Sequence, residues 1–490
     1  EREVKLAAPP GFRLLDLGGI ADDVVATSGE ERRLTTVYWD TPDLRLVRWG
    51  CSLRHRAGEG WTVKLPDDGD GTMLVRQEHH FDGPATHPPQ DAVRLLLGYV
   101  RHAPLAPVAR LQTVRKVVAL LSDDGQRLVE IDDDEVTVYQ GRRVASRFRE
   151  VEVEAAEGTS DSLIEAVLER LHAGGAGKPD PTPKLVRALG SMATEPPEVS
   201  PETLDAHATA GDLARRAFAA SVARLLRHDP GVRVGGDPEE VHQARVATRR
   251  LRSDLRTFAA VLDADWATPL REDVRWLTDE LGSVRDAEVL RDRLSAGVTA
   301  LPAPDTVAGQ KLVAALDADV EAKRKHLLIG FDSDRYVDLI DRLVEAANHP
   351  ALSDAAPVPA RALLGDLIGG PWAGLRKAAR ALDADSPDDD LHALRIKAKR
   401  CRYAAEAVTP VAGKRAAAFA KDVARLQEVL GELHDAVVLG QWLREHAGSG
   451  RTAFVAGELC GLQKNAADRA RKAWPAVWKQ LSRKEMTSWM

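Results

Sequence analysis

A cationic helical stripe occurs twice in this chain of 490 residues, about 150 positions apart. His242, Arg245, Arg249 and Arg252 are spaced by three, four and three, and His392, Arg395, Lys399 and Arg402 repeat that spacing. On an α-helix these steps bring all four groups onto one face. Arg250 and Arg400 add a further cation to each copy, and Asp254 is the only acid between positions 242 and 256. Like charges stacked along a helix repel, so the pattern asks for an anionic partner, and an extended polyanion fits it best. Each stripe of ten residues is about 15 Å long, and two side by side would make a basic groove. A second matched pair of motifs follows in the same order. Leu281-Gly282-Ser283-Val284-Arg285-Asp286-Ala287 answers Leu430-Gly431-Glu432-Leu433-His434-Asp435-Ala436. A helical unit has therefore been duplicated.

The length predicts two or three domains, and composition changes sharply near 191–205, a stretch rich in Pro, Glu, Ser and Thr. We expect an α+β, two-domain chain: residues 1–190, a linker at 191–204, and an all-α region at 205–490 with repeats at about 205–348 and 360–490. Helices are predicted at 205–228, 238–262, 266–296, 308–329, 334–347, 363–382, 388–408, 413–446 and 452–484, as two four-helix-like halves packed together. Before the linker, period-two patterning predicts eight short strands at 2–6, 52–56, 61–65, 74–80, 114–121, 128–131, 135–139 and 148–154, forming an eight-stranded antiparallel β-tunnel with a helix at 160–172 near its end.

These strands carry charge on alternate positions: Glu1, Glu3 and Lys5; Arg54 and Arg56; Arg76 and Glu78; Glu130 and Asp132; Glu150, Glu152 and Glu154. The intervening residues are largely apolar, as with Val4, Leu53, Ile131, Val151 and Val153. Two arrangements fit. The charged face meets water, or it lines a barrel lumen. Same-sign sets such as the three glutamates are unfavourable without counter-ions, which favours an enclosed face. Clustered carboxylates suit a hard divalent cation, and clustered Arg and Lys suit phosphate oxygens. A lumen bearing both would suit a metal-bound polyphosphate chain. His55 falls on the face opposite Arg54 and Arg56 and is expected to pack.

An ordered set of motifs resembles the CYTH superfamily of triphosphate tunnel metalloenzymes across about residues 1–190: Glu1-Arg2-Glu3-Val4-Lys5 (the E-x-E-x-K signature), Tyr38-Trp39-Asp40-Thr41, Leu53-Arg54-His55-Arg56, Thr62-Val63-Lys64, Arg76-Gln77-Glu78, Arg115, Glu130-Ile131-Asp132, Glu150-Val151-Glu152-Val153-Glu154 and Lys184. The resemblance implies Mg²⁺ or Mn²⁺ as cofactor, with Glu1, Glu3, Glu152 and Glu154 as leading ligands and Glu78, Glu130, Asp132 and Glu150 behind them. It implies that Lys5, Arg54, Arg56, Lys64, Arg76, Arg115 and Lys184 hold phosphates. Of these, Lys5, Arg54, Arg56 and Lys64 are the catalytic candidates, with Glu3 or a neighbouring carboxylate to orient water. The competing reading of all these charges is a solvated strand face or internal ion pairs.

The second half is similar to the CHAD domain, the conserved-histidine α-helical domain, whose members bind inorganic polyphosphate on a basic helical surface. His242, Arg245, Arg249, Arg250, Arg252, His392, Arg395, Lys399, Arg400 and Arg402 are the residues expected to do so. Arg285 stands where the second copy has His434, which puts a shared role for that position in doubt.

The expected activity is metal-dependent hydrolysis of inorganic triphosphate beside polyphosphate binding. The alternatives are an organic-triphosphate hydrolase or cyclase (nucleotide or thiamine triphosphate) and a non-catalytic polyphosphate-binding or targeting protein. The net charge of −7 and the scarcity of aromatics among the basic stripes argue against nucleic acid. Three scattered cysteines make a disulfide framework or cysteine zinc site unexpected. No stretch approaches the roughly 18 apolar residues of a membrane span, no signal peptide is visible, and the chain opens on Glu1 rather than Met, as a trimmed start would. No membrane partner and a cytoplasmic location follow, with polyphosphate granules as a further destination. Polyphosphate binding should weaken steeply as salt rises, through counter-ion release. Titration from low to high salt checks this, and a flat response removes the polyanion reading.

Overall fold

The structure is a computed structural model that describes residues 2–66 and 76–483 and divides into two compact units, Glu1–Glu198 and Val199–Met490.

The first unit is built on one antiparallel sheet of nine strands: β1 Arg2–Ala7, β2 Val24–Ser28, β3 Arg32–Asp40, β4 Ser52–Arg56, β5 Gly60–Pro66, β6 Arg76–Phe81, β7 Ala106–Ser122, β8 Arg127–Gln140 and β9 Arg143–Ala155. Eight of them run in the order β1-β9-β8-β7-β3-β4-β5-β6, and β2 pairs with β7. Among the described residues no pairing joins β1 to β6, yet Glu3 of β1 and Glu78 of β6 line one cavity, so the sheet curls its two edges towards each other. Short helices α1 Arg45–Arg48, α2 Gln90–Leu95 and α3 Leu97–Val100 join the strands, and α4 Asp161–Ala173 and α5 Lys184–Leu189 follow them.

Strand alternation sorts the side chains. On the outer face, Leu6, Val129, Ile131, Val151 and Val153 are buried beneath Leu163, Val167 and Leu171 of α4. The alternate positions, among them Lys5, Asp132, Asp134, Glu150 and Glu152, point to the concave side. Beyond Asp134 this inner face turns apolar. There Val136 and Val138 join Leu111, Ala109, Tyr38 and Leu185 of α5, closing one end of the lumen with a second core.

Several strand expectations need correction. The stretches at 128–131 and 135–139 are one strand, β8. Asp132-Asp133-Asp134, the gap between the two predicted stretches, continues the strand, and every one of these carboxylates meets a cation from elsewhere. Arg115 pairs with Asp132 and Asp134, Arg149 with Asp133 at 2.6 Å, and Lys184 with Asp134 at 2.9 Å. β2 and β3 were not expected at all, and positions 74–75 of the fourth predicted strand lie outside the described residues. The presumed linker is partly packed against the first unit. Ala193 is buried in the turn Gly190–Thr194, and Glu198 grips Arg101 with two contacts of 2.7 and 2.6 Å.

The second unit contains α6 Ala210–Val234, α7 Pro238–Thr257, α8 Ala264–Thr299, α9 Ala303–Phe331, α10 Asp334–Asn348, α11 Leu364–Arg380, α12 Asp388–Ala412, α13 Lys414–Glu445 and α14 Arg451–Leu481. The first half thus has the five long helices that periodicity predicts, one more than a four-helix bundle. A capping box on Thr209 starts α6, and Asp237 caps α7 with Pro238 in its first turn. The halves share a core: Leu294 and Val298 of α8 and Leu312 and Leu316 of α9 pack with Leu439 and Leu443 of α13 and Val455 and Leu459 of α14. Helices α7 and α12, which carry the two basic stripes, pack against each other.

No helix among the described residues is long and apolar enough to cross a membrane. Ile131→Ala should cost about 2–5 kcal/mol, because it opens a cavity in the core between sheet and α4. Urea denaturation checks this.

Candidate functional site

The concave side of the sheet holds a cavity of about 570 Å³ lined by six cations (Lys5, Arg54, Arg56, Lys64, Arg115 and Lys184) and four carboxylates (Glu3, Glu78, Glu152 and Glu154). Strands β1, β4, β5, β6, β7 and β9 deliver these side chains from alternate positions, and Lys184 enters from the first turn of α5.

Glu152 is the hub of the acidic wall. Its carboxylate meets Lys184 at 2.8 Å, Lys5 at 2.6 Å and Arg115 at 3.1 Å. Burial alone would raise its pKa, but the flanking Lys184 and Lys5 ammoniums hold it well below the usual carboxylate range. Lys184 also reaches Asp134 and Glu150, each at 2.9 Å, and these carboxylates outweigh its burial to push its pKa up. Lys5 likewise stays charged despite burial, because Glu152 and Glu3 outweigh that cost.

The facing wall has the opposite balance. Burial and the neighbouring Arg54 lower the pKa of both Arg56 and Lys64. Lys64 pairs with Glu78, Arg54 lies 3.9 Å from the same carboxylate, and Arg56 reaches out to Glu59 at 2.9 Å. This side of the lumen is short of negative charge.

Glu3, Glu152 and Glu154 each offer an oxygen, all within 4.8 Å of one another, and so fit a hard divalent cation. The remaining acidic candidates lie elsewhere. Glu78 lines the far side beside Lys64. Glu130 pairs with Arg127 at 2.7 Å, and Glu150 is buried against Lys184 and Arg187. Asp132 is buried beside Arg115, and burial together with Asp134, Glu154 and Glu130 raises its carboxyl to about 7. None of those three lines the cavity. Glu1 lies outside the described residues, and Arg76 belongs to β6 but its side chain is not described. His55 stacks edge-on against Trp61 on the outer face.

Sequence reading gave no lumen role to Tyr38 or His80, which both line the cavity. The parity of His80 with Glu78 was the available signal there, while Tyr38 had only its place in the motif Tyr38-Trp39-Asp40-Thr41, since β3 was not expected. The Tyr38 pKa is lowered even though burial opposes this, because Arg54, Lys184 and Lys64 surround its hydroxyl.

The second unit holds a groove of about 510 Å³ between the stripes, lined by Arg245, Arg249, Arg252 and Arg256 of α7 and Lys399, Arg400 and Tyr403 of α12, with Asp279 and Asp286 of α8 at its side. The duplication survives in detail. Arg245 lies across Gly282 and Arg395 across Gly431, while Asp286 sits 2.8 Å from Arg245 and Asp435 acts on Arg395. The guanidiniums of Arg249, Arg250 and Arg402 gather around the Tyr403 ring at 4.8–5.8 Å.

Five of the ten predicted stripe residues do not line this groove. Arg250 and Arg402 turn to Glu406, at 2.7 and 3.6 Å. His242, His392 and Arg395 are the others, and the His392 ring meets His434 at 3.0 Å between Nδ1 atoms. Arg256 was missed, one turn beyond Arg252. Asp254 does little to offset the stripe, since burial and Glu406 raise its carboxyl to about 8.

Lys399 shows what crowding cations in this groove costs. Burial, together with Arg249, Arg395 and Arg245, drops its pKa to about 6, so at pH 8 it is largely neutral. An anion in the groove would raise that pKa again and draw in a proton. Binding of polyphosphate at pH 8 should therefore take up on the order of one proton. Calorimetry in buffers of differing ionisation enthalpy reads this, and Lys399→Met should abolish the uptake.

A CYTH domain model matches residues 1–179 and a CHAD domain model residues 216–444. The uncharacterized protein Rv2226 of Mycobacterium tuberculosis is 31% identical over 503 aligned positions, covering 95% of this chain and 93% of that protein. Among solved structures, PptA from Streptomyces chartreusis is 23% identical with a TM-score of 0.48, covering 55% of this chain and 99% of its own. The CHAD domain of the plant Ricinus communis is 28% identical with a TM-score of 0.47, covering 58% and 95%. CYTH-domain enzymes act on triphosphates in a tunnel and use divalent metals. With both domain models matched in order, and a relative aligned along almost its whole length, the chain belongs to the family in which a CYTH domain is joined to a CHAD domain.

Proposed function

We propose that the first unit hydrolyses inorganic triphosphate with Mg²⁺ or Mn²⁺, and that the second binds inorganic polyphosphate. The observation that carries this reading is the split lumen: a carboxylate set fit for a metal on one wall and under-neutralised cations on the other. Triphosphate carries roughly four to five charges near neutral pH, so several cations are needed beside a metal. Arg54 and Arg56 present forks, and Lys64 a point charge, to its oxygens. Glu3, Glu152 and Glu154 would hold the metal, which supplies charge neutralisation and an acidified water. Glu3 or a neighbouring carboxylate of this set would orient that water. Phosphoryl transfer asks for little beyond such positioning and neutralisation.

An inorganic substrate is favoured because Tyr38 is the only aromatic ring other than His80 lining the cavity among the described residues. The helical groove would gather polyphosphate and raise its concentration near the tunnel, in the cytoplasm or at polyphosphate granules.

The test is phosphate release from tripolyphosphate, ATP and thiamine triphosphate with either metal. Tripolyphosphate should be turned over fastest, and Arg56→Ala should slow turnover by at least about a hundredfold, the scale of one lost transition-state contact. Near-normal turnover in that variant rejects the assignment. Tight binding with no turnover by the wild type marks a binding protein instead.

A further inference from the structure

We infer that the Lys5 ammonium occupies the divalent-cation cradle of the tunnel, so that metal must compete with Lys5 and binds more tightly when phosphate draws Lys5 away. The inference rests on the tunnel reading above and concerns how that site fills. Lys5 Nζ lies 3.0 Å from Glu3 and 2.6 Å from Glu152, two of the three carboxylates that could hold a metal. An ammonium already stands where a cation is expected.

The register explains why. In the pairing of β1 with β9, Lys5 faces Glu152 and Glu3 faces Glu154. Directly opposed residues on one face of an antiparallel pair lie about 4.5–5.5 Å apart at Cβ, which makes an ion pair across the strands the natural resting state. Residues two apart also share a face, which brings Glu3 within reach of the same ammonium.

The other cations on Glu152 do not play this part. Lys184 is tied to Asp134 and Glu150 as well, and Arg115 to Asp132 and Asp134, so both are anchored in the wall. Lys5 bridges two members of the cradle, Glu3 and Glu152. Its four-carbon stem lets the charge swing while the strand stays fixed.

A phosphate chain offers Lys5 an alternative anion, and the vacated carboxylates then offer oxygens to the metal. Each ligand thereby removes a cost of binding the other, which is positive coupling and is reciprocal. The pairing leaves no bare cluster of carboxylates, and metal binds more weakly without substrate than with it.

The experiment measures Mn²⁺ binding to the full chain, with no phosphate present, by the loss of free-ion electron paramagnetic resonance signal. Lys5→Met should bind Mn²⁺ about tenfold or more tighter than wild type, within the usual span of such couplings. Lys64→Met removes the same charge from the same lumen but from the Glu78 side, and should shift affinity by less than about threefold on the same scale. Lys5→Gln serves as a second variant, and thermal unfolding verifies that each one folds. Unchanged or weaker binding in both Lys5 variants overturns the inference, and so does equal tightening in Lys64→Met, which would mark a general charge effect. Glu152→Gln separates this failure from that of the tunnel reading. Made in the Lys5→Met background, where the competing ammonium is gone, a Glu152→Gln change that leaves Mn²⁺ affinity untouched means that the cradle itself is wrong. If it weakens Mn²⁺ binding while the Lys5 variants fail to strengthen it, only the present inference falls.

Discussion

The first unit depends on one buried electrostatic exchange, the convergence of Lys5, Lys184 and Arg115 on Glu152. A sheet whose inner face carries acids on adjacent strands would drive itself apart if those charges were left bare. Cations from β1, β7 and α5 reach into the same space, so the acids of the inner face are neutralised from within the unit. Such pairs add little net stability once desolvation is counted. Their consequence is readiness, because each one broken by a ligand can be replaced by a contact to metal or phosphate. Position along the lumen matters as much. Where Val136 and Val138 replace acids on β8, the inner face becomes core and the cavity ends.

The helical unit handles charge in the opposite way. Its stripes are held together by apolar contacts elsewhere, including the core shared by α8, α9, α13 and α14, and the cations of the groove are left only partly neutralised. Tyr403 and Glu406 take up some of the guanidiniums, and the lowered pKa of Lys399 shows how far neutralisation falls short. Packing supplies the stability there, so binding capacity can be kept at a local electrostatic cost. The tunnel stores its charges as pairs, whereas the groove stores them as repulsion.

Much of this was legible beforehand, for a definable reason. Periodicity reports which face a residue occupies, so the helices of the duplicated region and the charged alternation of β1, β4, β5 and β9 could be read directly. The merging of two predicted stretches into β8 could not be. Asp132-Asp133-Asp134 is the gap between them, and the cations that meet these carboxylates, Arg115, Arg149 and Lys184, come from elsewhere in the chain. The same limit explains the acids. Glu130, Glu150 and Glu154 follow the same alternation, yet of these only Glu154 lines the cavity, while Glu130 pairs with Arg127 and Glu150 is buried against Lys184 and Arg187. Arg250 and Arg402 were similarly taken by Glu406, a residue the stripe pattern does not contain.

Local chemistry along the chain was enough to establish two kinds of architecture, a repeat in the second, and the types of side chain gathered for phosphate and metal. These follow from spacing, which acts over a few residues and needs no knowledge of neighbours. Which charges face one another, which are spent on internal pairs and which remain available came only with folding. Electrostatic partnership in a low-dielectric interior depends on distances between segments far apart in the chain, and those distances are set by sheet register and helix packing.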